Sequence, residues 1–134
     1  MARAVTLSVN LDAPFKQVWP FISDPRNLHL WTVDFAIAPP VLKSGDLFAV
    51  QTPRGTLELF VKADEASGVI DFHFGRNGTF RLSPSRLLRN GENGCIFIFT
   101  QLEPPPDAPP GLFETLVENV RKELDILAQR FNPR

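Results

Sequence analysis

Apolar and polar residues alternate at the start of the chain. Every second residue from Val5 to Leu11 is apolar, and the residues between them are polar. This period of two predicts a β-strand with one face against a core and the other face toward water.

A short amphipathic helix is predicted after this strand. Asp12 can serve as its N-cap, Pro14 suits its first turn, and apolar residues recur at helical spacing as far as Ile22. Pro20 lacks a backbone N–H group, so we expect the helix to be irregular near its middle.

A second, shorter helical turn is predicted immediately afterwards. Asp24 can cap this turn because Pro25 then occupies the tolerated first position, and the turn continues to Trp31. Two small helices therefore separate the first strand from the rest of the chain.

From residue 33 onward the chain shows the pattern of strands and turns. The strongest hairpin signals are Asn77-Gly78 and Asn93-Gly94, because a type I′ turn needs positive φ at both central residues. The strand candidates are 46–52, 56–64, 69–74, 79–89 and 95–102, with a weaker one at 33–38. We expect an antiparallel meander, and with the first strand a sheet of six or seven strands.

A long helix is predicted at the end of the chain. Prolines at 104–106 and 109–110 indicate a stiff extended connector after the last strand. Apolar residues from Leu112 to Phe131 then recur at spacings of three and four, with Glu123 at the edge of their stripe. The predicted fold class is therefore α+β.

The composition narrows the function classes. The 134 residues fit one domain, 1–134, and 14 Lys and Arg against 15 Asp and Glu give a net charge of -1, so no nucleic-acid partner is expected. The N-terminus predicts neither a signal peptide nor a membrane span, and the single Cys95 fits a reducing compartment, so we expect a cytoplasmic protein. Twelve Phe and no Tyr indicate an interior poor in hydrogen-bonding groups.

The opening residues resemble those of a known superfamily. Ala13-Pro14, Val18-Trp19, Ile22-Ser23-Asp24-Pro25 and Trp31 are similar to the opening signature of the START-like helix-grip superfamily, also called SRPBCC. That superfamily includes the polyketide cyclase/dehydrase-like proteins. The resemblance implies one START-like domain in which a curved sheet surrounds the terminal helix and an apolar cavity lies between them. Because this chain is shorter than many such relatives, a small pocket and a nearly filled one both remain open.

The resemblance also implies a ligand site and a partner. We expect a hydrophobic small molecule, lipid-like or polyketide-like, with no cofactor and no metal. The residues expected to contact it are Trp31, Phe72, Phe74, Arg86, Phe97, Val120, Glu123 and Leu124. The position of Arg86 is left open. In a regular strand it shares the face of Phe80 and Leu82, taken as the interior, whereas an extra residue near Pro84 places it outside.

Two other functions remain open from the sequence. A polyketide cyclase or dehydratase would use Arg86, Glu123, His73 or His29 inside the same pocket. His73 shares a face with Asp71 in an alternating strand, which favours solvent for both. A homodimer or protein-interaction module would instead use the strand at 95–102, which is apolar on both faces.

Overall fold

The computed structural model describes residues 2–132 and has a seven-stranded antiparallel sheet with three helices. The strands are β1 (Ala4–Leu11), β2 (Val41–Ser44), β3 (Leu47–Thr52), β4 (Gly55–Asp64), β5 (Val69–Arg76), β6 (Thr79–Arg89) and β7 (Cys95–Leu102). The helices are α1 (Phe15–Ser23), α2 (Leu28–Trp31), which follows a 3-10 turn at Pro25–Asn27, and α3 (Leu112–Phe131). The strand order is β1-β7-β6-β5-β4-β3-β2. The α+β class and the element order predicted from the sequence are confirmed.

Helix α3 lies on the concave face of the sheet. Val120 and Leu124 on this helix belong to the same buried core as Leu59 of β4 and Phe72 of β5. The helix also packs against β1, β7 and α2. The central strands and the helices α2 and α3 therefore enclose one apolar interior. This is the arrangement that the resemblance implied.

The two faces of β6 are the reverse of those assumed from its sequence. Arg81 is the direct cross-strand partner of Phe74, a residue that packs against the core. Directly paired residues project from the same face of a sheet, so Arg81 lies on the concave face. Phe80 and Leu82 consequently lie on the outer face. Their large apolar side chains had suggested the opposite.

Strand β6 separates from β7 along half of its length. The two strands pair from Arg89 and Cys95 to Ser85 and Phe99, whereas residues 79–84 of β6 pair with β5 alone. Pro84 stands where the pairing stops, and proline has no N–H group to donate to a neighbouring strand. We call the opening between residues 79–84 and residues 100–102 the mouth.

Three local predictions were wrong. The segment 33–38 forms no strand, and an exposed edge strand forms at Val41–Ser44 instead. The N-cap of α1 is Pro14, not Asp12, and it makes no side-chain capping bond. The connection at Asn93-Gly94 has its positive φ at Gly91, so it is not a two-residue type I′ turn.

The turn at Asn77-Gly78 and the cap at Asp24 are as predicted. Asn77 and Gly78 have φ of 55° and 78°. The Asp24 carboxylate accepts a hydrogen bond of 3.0 Å from the Arg26 N–H. These two signals fix the β5–β6 hairpin and the start of the second helical turn.

Candidate functional site

Five of the eight predicted ligand residues meet in one packed core. The Trp31 ring contacts rings of β5 and β7, with its centroid 6.1 Å from that of Phe72 and 5.9 Å from that of Phe97. Val120 and Leu124 belong to the same core. Trp31 is 2% exposed and Phe97 is 0% exposed, so both rings are packed among other side chains. The deep part of the helix-grip interior is filled by side chains.

Glu123 is a carboxyl group inside this interior. It is 8% exposed, and its Oε2 accepts a hydrogen bond of 2.8 Å from the backbone N–H of Val33. Burial raises its pKa from an ordinary 4.5 to about 8, against the opposing effect of the Val33 hydrogen bond. At neutral pH Glu123 is therefore an uncharged acid that can donate as well as accept a hydrogen bond.

Two buried nitrogen atoms on α2 lack hydrogen-bond partners. They are Nε1 of Trp31 and Nδ1 of His29, counted over residues 2–132. Buried polar atoms in folded proteins nearly always have a partner, so these atoms are open positions for one. Helix α2 packs against α3, the helix that carries Glu123.

One accessible part of the concave face lies beside the mouth. Phe74 packs edge to face against Phe35, with ring centroids 5.7 Å apart, and both rings are only partly buried. Arg81 and Ser83 follow on the same face and are also partly buried. An aromatic floor and two polar side chains therefore border the interior where β6 leaves β7.

Arg86 and His73 lie on the outer face, away from the other predicted site residues. Arg86 is exposed, and its Nε donates to the backbone oxygen of Ser67 at 2.9 Å. The register runs through Pro84 without an extra residue. His73 stacks on Phe60 with a centroid distance of 4.6 Å. Two of the four groups considered for catalysis are therefore outside the interior.

The outer face of β7 carries the apolar residues considered for a homodimer. Ile96 and Ile98 alternate with the buried Phe97, and both are partly buried within the chain itself. Self-association through this face stays a prediction.

Cys95 is buried at the start of β7. Its thiol donates a weak hydrogen bond of 3.4 Å to the backbone oxygen of Ala13. Burial raises its pKa, which disfavours the reactive thiolate. The geometry is that of a small core residue.

Two surface pockets lie at opposite ends of α3. One of about 370 Å³ is bordered by Arg3, Glu103 and the proline-rich connector. The other, of about 710 Å³, is bordered by asparagines of the β6–β7 connection and by Asn132. None of the eight predicted ligand residues borders either pocket.

Comparison with solved structures identifies the architecture. The chain is similar to the protein XoxI from Bacillus cereus, with 17% identity, a TM-score of 0.76, and coverage of 99% of this chain and 97% of that one. It is also similar to the Zhui aromatase/cyclase from Streptomyces sp. R1128, with 16% identity, a TM-score of 0.71, and coverage of 100% and 96%. A START superfamily protein from Mycobacterium smegmatis matches at 13% identity, a TM-score of 0.66, and coverage of 96% and 97%. No family model matches the chain, and no curated protein matches its sequence.

The fold is therefore the START-like helix-grip fold, which the chain shares with this START superfamily protein and this aromatase/cyclase. This fold was predicted from the opening residues and the order of elements. Over the residues that the structure describes, no helix is long and apolar enough to cross a membrane.

Proposed function

We propose that this protein binds a hydrophobic small molecule, lipid-like or polyketide-like, on the concave face of its sheet. The observation that carries the proposal is the set of open polar groups in an otherwise apolar interior. Nε1 of Trp31 has no partner within residues 2–132, and Glu123 is buried with a single backbone hydrogen bond. Small-molecule sites have this composition, with apolar walls and a few fixed polar groups.

The ligand would enter through the mouth. There the aromatic rings of Phe35 and Phe74 are accessible, and β6 has no strand partner on its β7 side. Phe35 lies in the segment between α2 and β2, which belongs to no helix or strand. The backbone on either side of Phe35 is held by bonds at Asp34 and Ile37, so rotation of the Phe35 ring alone would widen the mouth without breaking a hydrogen bond.

The fold shared with the similar structures is a second support for the proposal. One of them is named an aromatase/cyclase and another a START superfamily protein. No catalytic step is part of the proposal, because Arg86 and His73 lie on the outer face. We further propose that residues 1–134 act as one domain in the cytoplasm, where a single unpaired thiol is stable.

A substitution at the mouth should block the site. Ser83→Phe places a ring on the concave face, whereas Leu82→Phe changes the neighbouring residue on the outer face. We expect wild type to bind the neutral dye Nile red saturably, with displacement by dodecanol. Ser83→Phe should weaken this binding at least about tenfold, equivalent to about 1.4 kcal/mol.

Fluorescence titration of the three proteins measures these affinities. Leu82→Phe should bind the dye as wild type does. The proposal is wrong if wild type shows no saturable binding, or if both variants bind the dye with the affinity of wild type.

A further inference from the structure

We propose that the ligand is a hydrophobic carboxylic acid whose carboxylate binds the Arg81 guanidinium at the mouth, with its tail directed over Phe74 into the interior. This inference rests on the proposed function and adds to it the chemical class of the ligand. It follows from the state of Arg81, which differs from that of every other arginine in residues 2–132.

The other arginines of the described chain all have partners. Arg3, Arg26, Arg54 and Arg121 pair with carboxylates. Arg76 and Arg86 donate to backbone oxygens, and Arg89 and Arg130 stack over phenylalanine rings. Within residues 2–132, Arg81 alone has no ion pair, no side-chain hydrogen bond and no aromatic ring beneath it.

Arg81 combines a free charged group with an apolar neighbour. It is partly buried on the concave face opposite Phe74, and no nitrogen of its guanidinium is among the buried unpartnered atoms of residues 2–132, so the charged group is accessible. An accessible guanidinium with no partner in the described chain is available to an anion. Its planar donor groups match the two oxygens of a carboxylate, with which they can form paired hydrogen bonds.

A second polar group lies next to Arg81 on the same face. Ser83 is partly buried, and its hydroxyl makes no hydrogen bond with residues 2–132. The next inward serine, Ser85, already donates to the backbone oxygen of Ile70 at 2.6 Å. Ser83 can therefore donate to the same carboxylate that Arg81 binds. The Ser85 hydroxyl is not available for this, because it already donates to Ile70.

The buried carboxyl group of the interior does not oppose an anion at this point. Glu123, deeper in the interior, is uncharged at neutral pH because burial raises its pKa to about 8. A bound carboxylate would thus meet a free positive charge at the mouth and an uncharged carboxyl group farther in.

Two ligands of equal chain length distinguish carboxylate binding at Arg81 from hydrophobic binding alone. Dodecanoate and dodecanol are each used to displace Nile red at pH 7.5 and low salt. Wild type should bind dodecanoate at least about tenfold more tightly than dodecanol, which is the lower range for a hydrogen bond to a charged group. Added salt should reduce only the dodecanoate affinity.

Arg81→Gln and Arg86→Gln form a matched pair, because they remove one charge each from opposite faces of β6. Arg81→Gln should lose about tenfold in dodecanoate affinity and keep its dodecanol affinity, a loss within the range expected of a charge-assisted hydrogen bond. Arg86→Gln should change neither. Equal unfolding midpoints for the two variants would show that both are folded.

The outcomes separate the two proposals. If dodecanol and dodecanoate bind wild type equally, or if the two variants behave alike, the anion site is wrong and hydrophobic binding stands. If neither compound nor the dye binds, both proposals fail.

Discussion

Replacing Trp31 by alanine is expected to lower the free energy of unfolding by about 3–5 kcal/mol. The side chain is 2% exposed and contacts rings from β5 and β7, and it is the largest fully buried side chain of the protein. The cavity left by alanine cannot be filled easily, because α2 is only four residues long and is held against α3. Urea unfolding followed by circular dichroism measures the loss.

Leu30→Ala is the matched control for this substitution. Leu30 precedes Trp31 in α2 and is 44% exposed, so its truncation should change stability by no more than about 0.5 kcal/mol. Trp31→Phe should lose much less than Trp31→Ala, since it keeps a ring and removes the unpartnered N–H group. A loss below about 1 kcal/mol for Trp31→Ala would mean that the interior is not packed as described.

The position of Arg81 could have been derived from the sequence. A two-residue type I′ turn at Asn77-Gly78 fixes which residues of β5 and β6 face each other. Counting back from that turn pairs Phe74 with Arg81, as the structure has it. The apolar character of Phe80 and Leu82 predicts instead that these two residues face the interior, which is the reverse of the observed faces of β6. Turn geometry is the stronger constraint where it is available.

Other features of the site could not be derived in this way. The pairing between β6 and β7 ends next to Pro84. The point at which it ends depends on how many residues of β7 pair with β6, and no local sequence pattern predicts that number. The tight packing around Trp31 depends on the volumes of side chains from four separate elements. The sequence therefore predicted which residues meet in the interior, but not whether they enclose space or fill it.

The position of Glu123 could be derived from the sequence only in part. Its place at the edge of the apolar stripe of α3 is evident from helical spacing, and the stripe predicts only that the residue lies near the boundary of the core. The structure turns it inward, where the N–H of Val33 provides the one hydrogen bond it makes within residues 2–132. That bond comes from the irregular segment after α2, whose path no periodicity predicts.

The protein is expected to lose stability as the pH rises from 4.5 toward about 8, because of Glu123. In the unfolded chain this carboxyl group ionises near its ordinary pKa of 4.5, whereas burial keeps it protonated in the folded state up to about 8. Between these values the folded state binds one proton more than the unfolded state, so stability falls by about 1.4 kcal/mol per pH unit. The whole effect amounts to about 5 kcal/mol, of which about 4 kcal/mol is reached at pH 8, and it fades as the pH falls through 4.5.

Glu123→Gln should remove this pH dependence. The amide oxygen can still accept the Val33 hydrogen bond, and the side chain has no proton to lose. Urea unfolding at pH 4.5, 6 and 8 should give equal stabilities for wild type and Glu123→Gln at the lowest pH. The variant should then be more stable by about 4 kcal/mol at pH 8.

Glu118→Gln is the control for this comparison, because Glu118 lies on the same helix and is exposed. Its difference from wild type should stay constant across the three pH values. Titrations of other groups are common to all three proteins and cancel in these differences. Parallel stability curves for wild type and Glu123→Gln would contradict the burial of an uncharged carboxyl group, and with it one of the two polar groups on which the proposed ligand site depends.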